Sequence, residues 1–120
     1  MAVNLVAIAS NDQIAGTADS SVDTLYTSTG VVTQINQITV ANSTASPQTM
    51  SFWILPSGVA ATASPATWVQ IVAAGDAGSL DAPTIISGLL GHVIPVGGTL
   101  KACCLTTNVC YVTASGIAIS

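Results

Sequence analysis

The residues of this chain that could perform nucleophilic chemistry are Cys103, Cys104, Cys110 and the single histidine, His92. A cysteine acts as a nucleophile when it is a thiolate, which needs a neighbouring base and a third group that orients that base. Cys103 and Cys104 are adjacent, so in a strand they face opposite sides and cannot share one tetrahedral metal site with Cys110. We therefore expect buried structural thiols, a loop histidine, no metal site and no catalytic residue. An odd number of cysteines also favours assembly in a reducing cytoplasm.

The acidic residues are all aspartates, and they form neither a calcium loop nor a paired-carboxylate motif. Aspartates in turns commonly accept hydrogen bonds from nearby backbone amides, and Asp76 and Asp81 lie in stretches of that kind. The glycines between residues 88 and 98 do not form a nucleotide loop, because no helix or lysine follows at the required spacing. The sequence therefore predicts no cofactor.

The composition limits the partners that this chain can have. Half of its residues (50%) are hydrophobic but only 5% are charged, against about 25% charged in ordinary soluble domains. With a net charge of -4 and one lysine, it has nothing to neutralise nucleic-acid phosphates, and it lacks the run of about 20 apolar residues that a spanning helix needs. We expect no nucleic-acid and no membrane partner, and a surface covered by copies of itself or by another protein.

Two long predicted strands, residues 34–40 and 49–55, surround a polar connection at residues 42–47. They form either a hairpin or a crossover between two sheets. Within the second strand, the face that bears Phe52 is predicted to point into a core. Trp53 then lies on the opposite face, where it needs another sheet or another subunit to cover it.

The rest of the chain also reads as short strands separated by turns. Further extended segments are predicted at residues 22–27, 67–73, 84–87, 100–106, 109–114 and 116–120. The connection at Thr107 and Asn108 is short enough for a tight hairpin. Seven or eight strands without an amphipathic helix predict an all-β antiparallel β-sandwich in one domain, residues 24–120. Residues 1–23 are loosely patterned, and we expect an N-terminal arm, or a strand exchanged between subunits, rather than a core element.

Several of these segments together resemble a group of small virion proteins of tailed bacteriophages. Those proteins combine a short apolar arm with a Leu-Tyr-Thr segment, a long strand that ends in Asn-x-Ser/Thr, a strand of Trp-Ile/Leu-hydrophobic-Pro-Ser-Gly type and a Leu-Asp-Ala/Gly-Pro turn. The matching stretches here are residues 25–27, 38–44, 51–58, 80–83 and 112–119. They are spread over most of residues 24–120, and none of them is a catalytic motif.

The resemblance implies a jelly-roll-like sandwich, commonly trimeric, that serves as a capsid decoration (cement) protein. We accordingly expect a non-enzymatic homotrimer, made in the host cytoplasm, that binds the major capsid protein or another virion protein on the outer surface of the head. The alternatives are a neck, collar or tail-fibre component that contacts the host surface, or a carbohydrate-binding module that uses aromatic rings. The residues predicted to form contacts with other chains are Val3, Leu5, Val6, Ile8, Trp53 and Trp68.

Overall fold

The computed structural model describes residues 2–75 and 83–120, which form strands joined by turns. The strands are β1 (Val3–Gln13), β2 (Asp23–Thr27), β3 (Val32–Asn42), β4 (Gln48–Leu55), β5 (Trp68–Val72), β6 (Thr84–Ile85), β7 (Val93–Ile94), β8 (Thr99–Cys104) and β9 (Cys110–Ile119). Short 3-10 turns lie at Asp19–Ser21, Ala61–Ala63 and Ser87–Leu89. Within this described part of the chain, no helix is long and apolar enough to cross a bilayer.

The strands form two antiparallel sheets that pack against each other. The front sheet has the order β1-β9-β3-β6, with β7 also paired to β3, and the back sheet has the order β2-β8-β4-β5. Because β6 and β7 pair with different parts of β3, together they occupy one interrupted position at the edge of the front sheet. The predicted all-β antiparallel sandwich is therefore confirmed, with eight strand positions.

The core lies between the sheets and follows the alternation of each strand. Ile38 and Val40 of β3 and Met50 and Phe52 of β4 are fully buried, and all four belong to one cluster. Burying an aliphatic or aromatic side chain of this size stabilises the fold by about 1.5–3 kcal/mol. The prediction that the Phe52 face of its strand points into the core is correct.

The connection between β3 and β4 carries the chain from the front sheet to the back sheet. Of the two arrangements predicted for these strands, the crossover is the one observed. Asn42 ends β3 and organises the turn, because its Oδ1 accepts a hydrogen bond from the Thr44 amide at 2.9 Å. Its Nδ2 donates to the Ser46 carbonyl at 2.7 Å. The Asn42 side chain thus supplies hydrogen-bond partners to backbone groups that have left the sheet, which allows a sharp turn at the end of β3.

The connection between β8 and β9 also changes sheets, so the tight hairpin predicted at Thr107 and Asn108 is wrong. β8 pairs with β2 and β4, whereas β9 pairs with β1 and β3. The common two-residue hairpins need a positive φ at the first central residue or at both. Asn108 has a φ of 61° but Thr107 does not have a positive φ, and residues 105–109 instead span the end of the sandwich.

The N-terminal segment is part of the sandwich in this structure. β1 pairs antiparallel with β9 from Val3, opposite Ile119, to Gln13, opposite Tyr111. Ile8 is 4% exposed and lies in the same core cluster as Phe52. The expectation that residues 1–23 contribute no core residue is therefore wrong.

Gly116 explains how β1 fits against β9. Strand β1 is irregular between Ala7 and Ala9, and β3 is irregular between Ile35 and Gln37, so both neighbours of β9 bulge at the same level. A methyl group at Gly116 would overlap the backbone carbonyl of Gln34 and press on the Ile8 side chain. Only glycine leaves room for both strands, since the space above it is filled by Ile8.

Candidate interaction surface

The three cysteines are buried and unpaired, as predicted. Cys104 and Cys110 face the main core with their sulfurs 3.5 Å apart, whereas Cys103 faces the other side of β8. Burial raises the pKa of Cys110 to about 12, and the neighbouring Cys104 adds to that shift. Burial likewise raises the pKa of Cys103. A thiol with a raised pKa is a poor nucleophile and metal ligand near neutral pH.

His92 lies far from the cysteine pair. It precedes Val93, which pairs with Gln34 near the start of β3, whereas Cys110 pairs with Asn42 at the end of β3. Eight residues of strand separate the two positions, which is roughly 25 Å. The His92 side chain is exposed and its carbonyl accepts a hydrogen bond from the Ile35 amide at 2.9 Å. The geometry therefore places no histidine beside a thiol.

Asp23 shows the turn-forming role expected for the aspartates. Its carboxylate accepts hydrogen bonds from the amides of Ala15 at 2.7 Å and Gly16 at 3.2 Å, which fixes the turn after β1. Asp12 and Asp23 also line an open depression of about 510 Å³ between β1 and β2. Among residues 2–75 and 83–120, no group of three or more acidic, cysteine or histidine side chains could hold a metal ion. The predictions for Asp76 and Asp81 lie outside the described residues.

The predicted contact residues of β1 divide between the two faces of the strand. Val3 is 60% exposed and Leu5 is 86% exposed, and both point away from the core. Val6 is half-buried and packs on the core, and Ile8 is buried. Successive side chains in a strand face opposite ways, so only the first two are available to another chain.

Trp53 is covered by its own chain. Its indole is 5% exposed and packs with Leu55, Ala61 and Cys103 in a second, smaller cluster on the outer side of the back sheet. The Trp53 Nε1 donates to the Ser64 carbonyl at 3.2 Å. The β4–β5 connection, residues 56–67, therefore supplies the cover that was expected from another sheet or subunit, and Trp53 is not available for contacts.

Trp68 joins the two sheets at the side of the sandwich. Its Nε1 donates to Gln70 Oε1 at 2.9 Å, and Gln70 Nε2 donates to the Ile85 carbonyl of β6 at 2.9 Å. The ring lies against Gly88 so closely that a methyl group there would overlap it. Trp68 is 38% exposed. Because Gly88 covers part of its ring, less of the ring face is free to stack on a sugar.

The outer face of the front sheet carries no charged side chain among the described residues. Strand register brings Val3 beside Ile119 and Leu5 beside Ile117 on that face. The aliphatic side chains at this end, which we call the apolar end, are Val3, Leu5, Val32, Val93, Ile117 and Ile119. Uncharged side chains continue along the face, including Gln37, Thr39, Thr113, Ser115 and Ile85. Gln34 lies between Ile117 and Val93 on the same face, and an exposed surface that is mostly apolar in this way is typical of a contact between proteins.

The charged residues of the described chain lie elsewhere. Lys101 is on the outer side of the back sheet, beside Trp53 in the strand register. Asp19 and Asp23 are close enough to Cys103 to add to the rise in the pKa of its thiol, after burial. Asp12 lines the side depression. Copies of this acidic chain could therefore meet through the front sheet without bringing carboxylates together, which would cost free energy.

A second apolar patch lies on the back sheet. Val69, Ile71 and Leu105 are 54%, 67% and 69% exposed. Ile71 pairs with Thr49, whose carbonyl accepts a hydrogen bond from the Leu105 amide at 3.3 Å, so the three neighbour one another. This patch is bordered by the 56–67 connection and by Lys101 of β8, so it is smaller and less uniform than the front face.

Sequence reasoning found Val3 and Leu5 but missed the other four residues of the apolar end, Val32, Val93 and, on β9, Ile117 and Ile119. The sequence of β9 alternates, with the large Ile117 and Ile119 on one face and the small Ala114, Gly116 and Ala118 on the other. The larger side chains would ordinarily be assigned to the core. In the structure the small residues face inward, where Ile8 fills the space above Gly116, and both isoleucines face outward.

Comparison of this chain with protein-family models, with curated proteins and with solved structures finds no significant match.

Proposed function

We propose that this protein is a non-enzymatic virion component that assembles into a homo-oligomer, a trimer, and decorates the outside of a bacteriophage head. The observation that carries the proposal is the uncharged outer face of the front sheet, with Leu5 86% exposed at its apolar end. Water-exposed aliphatic side chains on a chain with so few charges favour association. When another protein covers this face, its aliphatic side chains leave water, which is favourable.

The strand order supports the jelly-roll part of the proposal. When β6 and β7 count as one position, the first strand pairs with the last, the second with the seventh, the third with the sixth and the fourth with the fifth. This is the pairing of one long hairpin rolled into two sheets, which is the double Greek-key arrangement of jelly rolls. Viral capsid proteins use that architecture, and so do lectins and cupins, so the architecture alone does not distinguish these roles.

The contact surface is suited to a cement role. A specific contact needs roughly 800 Å² per partner, and a two-layer sandwich of this size presents a sheet face of that order. A small stabilisation at each contact, repeated over a symmetric shell, adds up across many copies. We propose the outer face of the front sheet, centred on the apolar end, as the contact between copies of this chain.

The experiment that tests the proposal is the copy number of this protein in purified virions, measured by quantitative mass spectrometry against the major capsid protein. A decoration protein is expected at hundreds of copies, in a simple ratio to the capsid subunit, since it follows the symmetry of the shell. About a dozen copies would move it to the neck, collar or tail. Absence from particles would refute the virion role.

A further inference from the structure

Cys104 and Cys110 approach each other across the gap between the sheets. Cys104 ends β8 in the back sheet and Cys110 begins β9 in the front sheet. Their sulfurs are 3.5 Å apart, and both residues are 0% exposed. A disulfide has a sulfur–sulfur distance of about 2.05 Å, so the two atoms need to move together by about 1.5 Å.

The thiol pair lies beneath an exposed connection. Residues 105–108 are exposed, and part of the connection is held by hydrogen bonds to the segment after β1. The Asn108 amide donates to the Ile14 carbonyl at 2.9 Å, and Thr107 Oγ1 donates to the Ala15 carbonyl at 2.7 Å. The Leu105 amide also donates to the Thr49 carbonyl at 3.3 Å, and the Ser43 amide donates to the Val109 carbonyl at 2.9 Å. We expect local opening of these contacts to give a reagent access to the sulfurs while the strands stay paired, because local opening of a surface connection costs less than global unfolding.

We propose that Cys104 and Cys110 are an oxidation site that forms one intramolecular disulfide, linking the two sheets, when the protein meets a low-molecular-weight disulfide such as oxidised glutathione. The thiolate of one cysteine attacks the reagent, which forms a mixed disulfide and releases one glutathione thiolate. The second cysteine, as a thiolate, then attacks the protein sulfur of that mixed disulfide and releases the second glutathione. Two protein thiols are oxidised, one external disulfide is reduced, and the two protons pass to the released thiolates.

Cys103 does not compete for this bond in the folded protein. It lies on the other side of β8, in the cluster with Trp53 and Leu55. Adjacent residues in a strand point in opposite directions, so its sulfur is directed away from the Cys104–Cys110 pair. The reaction therefore has one expected product, with Cys103 left as the free thiol.

The surroundings of the pair make the reaction slow but selective. Burial and the adjacent Cys104 raise the pKa of Cys110 to about 12, so little thiolate is present at neutral pH. The rate should therefore increase with pH, and with any treatment that loosens residues 105–109. Once formed, the bond closes a loop of about seven residues and should raise the Tm by about 10 °C through its restraint on the unfolded chain.

The experiment uses the full-length protein, which is incubated with oxidised glutathione, unfolded in the presence of an alkylating reagent, and examined by intact mass and peptide mapping. We expect one alkylated cysteine, Cys103, a disulfide between Cys104 and Cys110, and a higher Tm that returns to its starting value after reduction. Cys103→Ser is the matched control and should form the same disulfide, whereas Cys104→Ser and Cys110→Ser should form none.

Two results would overturn the proposal, and both come from the wild-type chain, so they do not depend on the folding of a variant. The first is alkylation of all three cysteines after prolonged oxidation. The second is a disulfide that uses Cys103, with Cys104 or Cys110 alkylated in its place. The inference is independent of the virion role, because it depends only on the two sheets and the connection between them.

Discussion

Replacing Leu5 with aspartate should separate the proposed contact surface from the stability of the fold. Leu5 is 86% exposed on edge strand β1, beside Ile117 on the outer face. Its backbone pairing with β9 does not depend on the side chain. We therefore expect Leu5→Asp to change the free energy of unfolding of the monomer by no more than about 0.5 kcal/mol, as is usual for surface sites.

The effect on association should be much larger. Covering an exposed leucine stabilises a contact by about 2 kcal/mol, and the 86% exposure of Leu5 leaves nearly all of that free energy available. An aspartate loses it and also places a carboxylate against an apolar surface, which costs at least about 2 kcal/mol more. The sum of about 4 kcal/mol weakens each contact roughly 1,000-fold in Kd.

Sedimentation velocity over a concentration series measures this Kd, and co-sedimentation with capsids measures particle binding. Leu105→Asp is the matched control, because it makes the same chemical change at a leucine of the back-sheet patch that is 69% exposed. We expect Leu105→Asp to assemble like the wild type.

Ile8→Ala gives the opposite pattern, since Ile8 is 4% exposed in the core. It should lower the free energy of unfolding by about 2–5 kcal/mol while the folded protein still assembles.

A Leu5→Asp variant that associates with the wild-type Kd would refute the assignment of the contact to the apolar end. If Leu105→Asp dissociates instead, the contact lies on the back-sheet patch of Val69, Ile71 and Leu105. If neither change weakens association, copies of this chain meet through neither apolar surface.

The positions of most strands could be predicted from the sequence, because alternation and turn residues are local signals. Residues 49–55 were predicted as a strand, and the structure has Gln48–Leu55. The Phe52 face was assigned correctly because the alternating residues on both sides agreed. The pairing of strands was harder to predict, since the connections after Asn42 and after Cys104 both change sheets. Each is five residues long, and no local pattern distinguishes a crossover from a hairpin at that length.

The candidate surface was harder to predict than the strands. A period of two separates the faces of β1, so Val3 and Leu5 could have been separated from Val6 and Ile8 on that ground alone. The part of the surface that β9 supplies could not be predicted from the sequence, because it depends on the strand register and on the inward packing of Ile8 over Gly116. The cover of Trp53 by the β4–β5 connection is a tertiary contact, and the composition of that loop gives no signal for it.

The remaining predictions concern positions within the fold. Gly88→Ala should destabilise the protein by about 1–3 kcal/mol in urea unfolding, because the added methyl group overlaps the Trp68 ring, and Gly88→Ala combined with Trp68→Ala should recover part of the cost of the glycine change. Asp23→Ala should cost about 1 kcal/mol by removing the acceptor of two backbone amides, and Asp23→Asn, which keeps one oxygen, should cost less. Alkaline pH should destabilise the reduced protein, and Cys110 should account for part of that loss. An unfolded thiol ionises near pH 9.0 but folding raises the pKa of Cys110 to about 12, so between these values the unfolded state releases a proton that the folded state retains. The free energy of unfolding should then fall by up to about 1.4 kcal/mol per pH unit for this thiol, and it should be independent of Cys110 below pH 9.0. Urea unfolding of the reduced wild type and Cys110→Ala from pH 7 to 11 measures this difference in slope, and equal slopes in the two proteins would contradict the assignment.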